Sequence, residues 1–425
     1  MKVKRTGGKK TKSRAIRKQI EKNNNLLDAA AEGNVYKINA ALKDGANIEA
    51  KNGSGYTSLM LSSWIGKIDA MKALLAANPT ATIDAKSSKE EWTALTWAVR
   101  AGDVEAVNML LDEGANINTV DVDRRTVLMS AAFMDQLDVV NVLLNRGATI
   151  DTRDIAGHTA LMLISLHGND NESLGIVQAL LSAGADPNAA TPENHTTSLM
   201  YAAAMADEES LGIVKALLNA GADPNATTTD TRSTPLMYAV VERSLDVVKE
   251  LIAGKANVHL KDIDGVGALM LAVENGVPEI VRELINAGAN VNSFNHDGVS
   301  VMQAWGDDPE ILDDPTVDDS DPYKLTMSLL LKNNANIPHG DRWEPARSMR
   351  ARIVAREQFA REVAERELGT HDVYEPHIGD LIARYTLGGG VAGSRSWSRS
   401  KSRNKSRKIG KNNRSKRRRS GRVRR

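Results

Sequence analysis

The sequence predicts an all-α solenoid, a stack of short helix pairs. A phrase of the form Leu-Leu-x-x-Gly-Ala-(Asn/Asp)-x-Asn recurs along most of the chain, and Thr-x-Leu-Met precedes it by about twenty residues. The glycine of the phrase returns after 33 residues from Gly114 to Gly147, and after 37 at Gly184 and again at Gly221. Repetition at this period is typical of one supersecondary unit stacked many times. The clearest copies are Leu110–Asn118, Leu180–Asn188, Leu217–Asn225 and, with Ile as second residue, Leu284–Asn292.

Each unit is predicted to contain two short helices joined by a tight turn. In the fourth unit, apolar residues stand at helical spacing around Leu128 and again around Val140, with Asp135 and Gln136 between them. A Thr suits the start of the first helix, because its hydroxyl accepts a hydrogen bond from a free backbone N–H. The Gly after the second helix suits a left-handed C-terminal cap. The predicted capping threonines are Thr57, Thr93, Thr126, Thr159, Thr197 and Thr234.

These features resemble the ankyrin repeat, which has about 33 residues per unit and Thr-Pro-Leu-His before its first helix. The resemblance implies an ankyrin-repeat solenoid with β-turn fingers, and about nine units tile residues 23–337. Where the family has His, this chain has Met, which we interpret as core filler because a flexible thioether fits irregular gaps between helices. The methionines are Met60, Met129, Met162, Met200, Met237, Met270 and Met302.

Charge separates the array from both ends of the chain. Residues 1–22 hold ten Lys and Arg against one Glu, and residues 394–425 hold sixteen against no acid. Subtracting these ends from the total of +1 leaves −24 on residues 23–393. We therefore expect a basic disordered arm over 1–22, a capping helical segment over 338–386, and a glycine hinge with a basic disordered tail over 387–425.

The basic tail allows three interpretations. It fits a nuclear import signal, a segment that binds DNA or RNA by neutralising phosphates, or a solubilising segment that docks on the acidic array. Phosphorylation of its serines would offset the positive charge. The residues predicted for nuclear targeting or polyanion binding are Arg407, Lys408, Lys416, Arg417, Arg418 and Arg419.

Composition argues against catalysis and against a membrane protein. The absence of cysteine excludes disulfides, thiol catalysis and cysteine zinc sites. No segment approaches the ~20 apolar residues of a membrane span, and no apolar run follows the basic start. His371 and His377 lie among acids, but their spacing does not match a helical two-histidine metal site. We expect a monomeric, non-catalytic intracellular protein of the nucleus or cytoplasm, without cofactor or metal.

The resemblance also implies where a partner binds. Ankyrin partners usually meet the fingers and the exposed side of each first helix, together called the concave face. In units two to four these positions carry an unusual number of large side chains, which favours a partner-binding patch of the residue types that dominate interfaces. Packing between repeats is the alternative, and Trp97 is expected in the core. The predicted patch is Tyr56, Trp64, Ile65, Trp92, Arg100, Arg125, Phe133 and Met134.

The leading hypothesis is a scaffold or adaptor that binds a protein partner on the concave face, with basic tails for nuclear targeting or polyanion contact. A second hypothesis is a nucleic-acid-associated protein in which the tails act and the repeats are a spacer or assembly surface. The build also resembles host-directed ankyrin effectors of large DNA viruses or intracellular bacteria.

Overall fold

A computed structural model describes residues 7–77, 83–167, 171–205, 208–305, 318, 320–340 and 343–368. Within these ranges the chain forms helices and isolated β-bridges but no extended strand, which confirms the all-α prediction. The helices are α1 Gly7–Glu32, α2 Val35–Lys43, α3 Ser58–Ile65, α4 Ile68–Ala77, α5 Ala94–Arg100, α6 Val104–Asp112, α7 Val127–Phe133, α8 Leu137–Asn145, α9 Ala160–His167, α10 Asn171–Ser182, α11 Ser198–Met205, α12 Glu208–Asn219, α13 Pro235–Val241, α14 Leu245–Ala253, α15 Ala268–Glu274, α16 Pro278–Asn286, α17 Val301–Ala304, α18 Pro322–Lys332 and α19 Glu344–Leu368.

Helices α1 to α16 form eight successive pairs, and α17 and α18 continue the stack by packing on α15 and α16. Each odd-numbered helix packs on the next odd-numbered one, as α3 does on α5 and α5 on α7. Even-numbered helices form a second row in the same way: α8 packs on α10, and α10 packs on α12. Apolar side chains are buried between the two rows and between neighbouring pairs, so each unit needs its neighbours to hide its core.

The predicted threonine caps are present. All six accept a hydrogen bond from the N–H three residues later, at 3.2 to 3.4 Å. At Thr57 the bond is returned, because its own N–H donates to Sδ of Met60 at 3.4 Å, and Thr126 and Met129 repeat this exchange. The methionines of the stripe are at most 3% exposed, which confirms their prediction as core residues.

An amide ladder explains why the repeated phrase ends in Asn or Asp. The last side chain of the phrase in one unit accepts a hydrogen bond from a backbone N–H of the next unit. The donor is the residue two positions after the Gly of that unit's own phrase. Asn188 accepts from Asp223 at 2.7 Å, and its own amide donates to the carbonyl of Gly221 at 2.9 Å. Equivalent acceptors are Asp84, Asn118, Asp151, Asn225 and Asn292. The side chains thus join units that contribute only short helices.

The fingers are Asx turns tied to one another through the backbone. Asp121 accepts the N–H of Asp123 and of Arg125 through Oδ1, which closes the finger of unit four. The N–H of Val122 then donates to the carbonyl of Glu90 in the preceding finger at 3.2 Å. Bonds of this kind recur along the array, so each finger holds the next in place.

The first helix corrects one prediction. Residues 7–22 were expected to be disordered, but α1 begins at Gly7 and continues to Glu32. Its C-terminal half packs through Leu26, Leu27 and Ala30, which are at most 4% exposed. Lys, Arg and Gln are good helix formers, and a docked helix extends at little cost because its nucleus already exists. The disordered-arm prediction is therefore wrong for residues 7–22.

Internal contacts separate the chain into Met1–Ala351 and Arg352–Arg425. At the end of the first of these two segments, Trp343 and Ala346 are buried, and Arg350 donates to the carbonyl of Ala335 at 3.3 Å. In the second segment the structure describes only residues 352–368, which belong to α19. Among the described helices, none combines the length and the apolar character needed to cross a membrane.

Candidate functional site on units two to four

Trp97 is the centre of an aromatic cluster on the concave face. Its ring centroid lies 5.3 Å from that of Tyr56, 5.1 Å from Trp64 and 4.8 Å from Trp92. Two of these contacts are edge-to-face, the arrangement that ring quadrupoles favour. Trp97 is 8% exposed, which confirms it as a core residue. The cluster therefore joins units two and three through one buried indole.

The indole N–H of Trp97 is buried and has no hydrogen-bond partner among the described residues. An unpaired buried donor costs about 1–3 kcal/mol, so such groups are uncommon in folded proteins. The three surrounding rings provide no strong acceptor at this position.

Arg100 extends the cluster by one turn of α5. Its guanidinium carbon lies 4.4 Å from the ring centroid of Trp92, within the range of a cation–π contact. Trp92 directly precedes the capping Thr93, whereas Arg100 is the last residue of the helix. The stacking fixes both side chains at the surface of unit three.

Four residues of the predicted patch present apolar surface to solvent. Trp64 is 52% exposed, and the same is true to a lesser extent of the others. Two pairs stand at equivalent positions, Trp64 with Ile65 at the end of α3 and Phe133 with Met134 at the end of α7. Exposed large side chains gathered on units two and four, on either side of unit three, are typical of an interaction surface. The four are Trp64, Ile65, Phe133 and Met134.

A cavity of about 310 Å³ lies beside this surface, between units three and five. Four of the eight predicted residues line it, and the other four stand outside it. Phe133 also contacts His167 edge-to-face, with centroids 4.8 Å apart. The lining comprises Glu90, Trp92, Arg100, Asp121, Val122, Asp123, Arg125, Met129, Ser130, Phe133 and Leu163.

Next to the cavity, polar side chains form a connected chain across units four to six. Asp154, almost fully buried, faces Nε of Arg125 at 3.7 Å and Nδ1 of His158 at 3.4 Å. The other ring nitrogen of His158 lies 3.0 Å from the hydroxyl of Tyr201. Burial, and then the nearby Tyr238 and Asp154, raise the pKa of Tyr201. A tyrosine with a raised pKa keeps its proton at neutral pH, so Tyr201 acts in this network through its hydroxyl and not as a phenolate.

The sequence analysis missed the position four residues after each capping Thr. In unit three this position is Trp97, in unit four Ser130 and in unit five Leu163, and the last two form part of the cavity floor. The small Ser130 between two large neighbours leaves the space that the cavity occupies. Aligning this position between units would have revealed Ser130 as a small residue in a row of large ones.

All eight residues of the predicted patch fall within the described part of the chain, and the structure places them on units two to four. Val122, at the tip of the fourth finger, is 52% exposed and belongs to the same surface, although it was not predicted. The six predicted tail residues, Arg407 to Arg419, and the His371–His377 segment lie outside the described residues. Among the residues that are described, no group of three or more His, Asp or Glu could hold a metal ion.

Comparison with known proteins gives consistent matches. A family model described as ankyrin repeats, in three copies, matches residues 26–121, 66–154, 128–228 and 199–295. These matches together extend over more than half of the chain. Ankyrin repeat and SOCS box protein 2 of Bos taurus is 34% identical over 90 residues, which are 21% of this chain and 14% of that protein. The chain thus spans about one seventh of that relative's length.

Proposed function

Since the chain belongs to the ankyrin repeat family, whose repeats are protein-interaction modules, we propose that it is a non-catalytic scaffold or adaptor that holds a protein partner on the concave face of units two to four. The observation that carries this proposal is the aromatic cluster around Trp97 together with the exposed apolar residues beside it. Trp, Tyr and Arg are the residue types that contribute most to binding energy when a partner covers them.

The geometry supports a rigid recognition surface. Trp92 is held between the ring of Trp97 and the guanidinium of Arg100, so little side-chain entropy remains to be lost on binding. The fingers are fixed by their Asx turns and by backbone bonds to one another. A preorganised surface of this kind binds with a smaller entropic cost than a flexible loop.

The test is the double variant Trp64→Ala/Trp92→Ala in the full chain. We expect it to lose the partners that the parent protein captures from cells, because truncation of two interface aromatics typically costs ~2 kcal/mol or more each. Val241→Ala is the matched control, since Val241 stands at the position of Trp64 in unit seven and is also half exposed. Unchanged capture by the double variant, with the control also unchanged, would refute the proposal.

For the basic tail we propose nuclear targeting. Sixteen Lys and Arg without an acid, over residues 394–425, fit a receptor-read import signal. Deleting these residues is expected to abolish nuclear accumulation of a fluorescent fusion while leaving partner capture intact. The substitution of Lys416 to Arg419 by Ala tests the core cluster alone.

The alternative is that the basic ends bind DNA or RNA. It is favoured by α1, in which Arg14, Arg17 and Lys18 are exposed and add a second basic element. Under this alternative the full chain binds a 30-base-pair duplex with an affinity that falls steeply with salt, and the tail deletion removes most of that binding. Retention of duplex binding after the deletion would assign it to α1 instead.

A further inference from the structure

The cavity between units three and five is a small anchor pocket. Its volume of about 310 Å³ is at the lower end of ligand pockets, enough for one large side chain. Met129 and Leu163 make its floor apolar, and Trp92 and Phe133 supply aromatic surface. Ser130, where unit three has Trp97, leaves the space open. An apolar side chain of a partner would fit this lining.

Arg100 provides a cation at the edge of the pocket. Its guanidinium is stacked on Trp92 and is only partly exposed. In the part of the chain that the structure describes, no carboxylate lies within ion-pair distance of it and no acceptor receives a hydrogen bond from it. A partly desolvated guanidinium with free donors is suited to bind a carboxylate in a bidentate manner.

The carboxylates of the pocket do not neutralise this cation. Asp121 is engaged in its finger, where Oδ1 accepts two backbone N–H groups. Glu90 lies with Oε2 3.4 Å from Oγ of Ser87. Asp123 lines the pocket from the fourth finger, and among the described residues it forms no ion pair with Arg100. The lining therefore combines a cation on α5 that has no ion pair among the described residues with three carboxylates on the fingers.

We propose that this pocket recognises a partner segment in which a large apolar residue adjoins an Asp or Glu. The apolar side chain enters between Trp92 and Phe133, and the carboxylate pairs with Arg100. This inference rests on the proposed function and specifies the chemistry of its partner. Arg125, which also lines the pocket, is exposed and lies 3.7 Å from the carboxylate of Asp154, so Arg100 is the lining cation that is left without an ion pair among the described residues.

A basic segment is the competing occupant, because residues 23–393 carry a net charge of −24. The two possibilities predict opposite responses to local charge changes. The binding of an acidic segment is weakened by loss of Arg100 and strengthened by loss of the carboxylate of Asp123. For a basic segment both signs reverse.

The experiment uses the full chain with 15N-labelled tryptophan and four Gly-Ser-flanked peptides with central Phe-Glu, Phe-Gln, Phe-Lys or Ala-Glu. NMR detects millimolar binding, and the indole signals of Trp92 and Trp97, assigned by single Trp→Phe variants, report on the pocket. We expect saturable shifts with Phe-Glu, about tenfold weaker binding of Phe-Gln and Phe-Lys, and no saturation with Ala-Glu. The absence of shifts with all peptides, or preference for Phe-Lys, would overturn the inference.

Three variants then assign the contacts. Arg100→Gln should weaken the binding of the Phe-Glu peptide about tenfold and leave the binding of the Phe-Gln peptide unchanged. Ser130→Leu should block both by filling the pocket, and Asp123→Asn should strengthen Phe-Glu a few-fold. If Arg100→Gln and Ser130→Leu bind Phe-Glu like the parent, the inference is wrong. In cells, if the Trp64→Ala/Trp92→Ala variant loses its partners while these two keep them, only the inferred chemistry fails and the proposed function stands.

Discussion

Replacing Trp97 by Ala tests whether one buried indole joins units two and three. The side chain is 8% exposed and contacts three rings, so its loss removes both the burial of a large apolar surface and three aromatic contacts. Truncation of a buried Trp typically costs about 3–5 kcal/mol. Trp64→Ala is the matched comparison, because Trp64 is half exposed and contacts only Trp97 among the rings. We expect that change to cost ~1 kcal/mol.

The assay must be local, because repeat arrays do not unfold in two states. Hydrogen exchange of the amides of α3, α5 and α7 reports the opening of units two to four. A loss of about 3 kcal/mol increases their opening constant by about 100-fold, against about fivefold for Trp64→Ala. Amides of α13 and α15, far along the stack, should change little in either variant.

Equal effects of the two substitutions would refute the reasoning, since they would show that burial and ring contacts of Trp97 do not stabilise the unit boundary. A third variant, Trp97→Phe, separates the ring from the indole N–H. It keeps aromatic contacts and removes an unpartnered buried donor worth about 1–3 kcal/mol, which offsets the lost volume. We therefore expect Trp97→Phe to be much closer to the parent than Trp97→Ala.

His259 stands where other units have the Asn or Asp of the amide ladder. His259→Asn should allow hydrogen bonds to the backbone of the next unit, as Asn225 makes. Hydrogen exchange of α15 should then show a local unfolding free energy higher by about 0.5–1.5 kcal/mol. Partial burial, and then the Asp262 carboxylate, raise the pKa of Glu274 above its ordinary value of 4.5, so the folded state holds the proton more tightly and stability falls as pH rises through this window. Glu274→Gln should therefore stabilise unit eight at pH 7 but not at pH 3 in hydrogen exchange of α15. The gain is a fraction of the ~1.4 kcal/mol per pKa unit because solvent screens a partly exposed side chain; an equal gain at both pH values would contradict the assignment. Lys255 takes φ +70° at a position where most units have Gly and the ninth has Asn334. Lys255→Gly should therefore stabilise unit seven by up to ~1 kcal/mol in hydrogen exchange of α14, and a loss of stability would show that the left-handed backbone is not strained.

The features that the sequence predicted well are those encoded within one unit. A Thr and the N–H three residues later belong to the same helix, so the cap at Thr93 is visible as local spacing. The same is true of the left-handed glycine in Gly114 and of the buried face of each helix. Repetition then strengthens each local signal, because nine imperfect copies average out their individual departures from the pattern.

Features that depend on pairs of units could not be predicted in the same way. The contact of Tyr56 with Trp97 joins residues 41 positions apart, and that of His158 with Tyr201 joins residues 43 apart. Their approach depends on the offset and rotation between units, which no spacing within one repeat encodes. For the same reason the amide ladder of Asn188 explains the phrase only after the stack is known.

A regular backbone with one small side chain is sufficient to create a recognition pocket in this array. The position four residues after the cap holds Trp97, Ser130, Leu163, Tyr201 and Tyr238 in successive units, while the helices and fingers around it keep the same arrangement. Each of these side chains faces a neighbour fixed by the same packing, so a change of size alters the surface without requiring a new fold. The position of this cavity is therefore determined by the small residue and not by an irregularity of the backbone. The double variant Ser130→Leu/Leu163→Ser should move the pocket one unit along, so the Phe-Glu peptide should lose its contact with Arg100 and bind more weakly. If this variant binds the peptide as tightly as the parent, the fingers and not this row of side chains form the pocket.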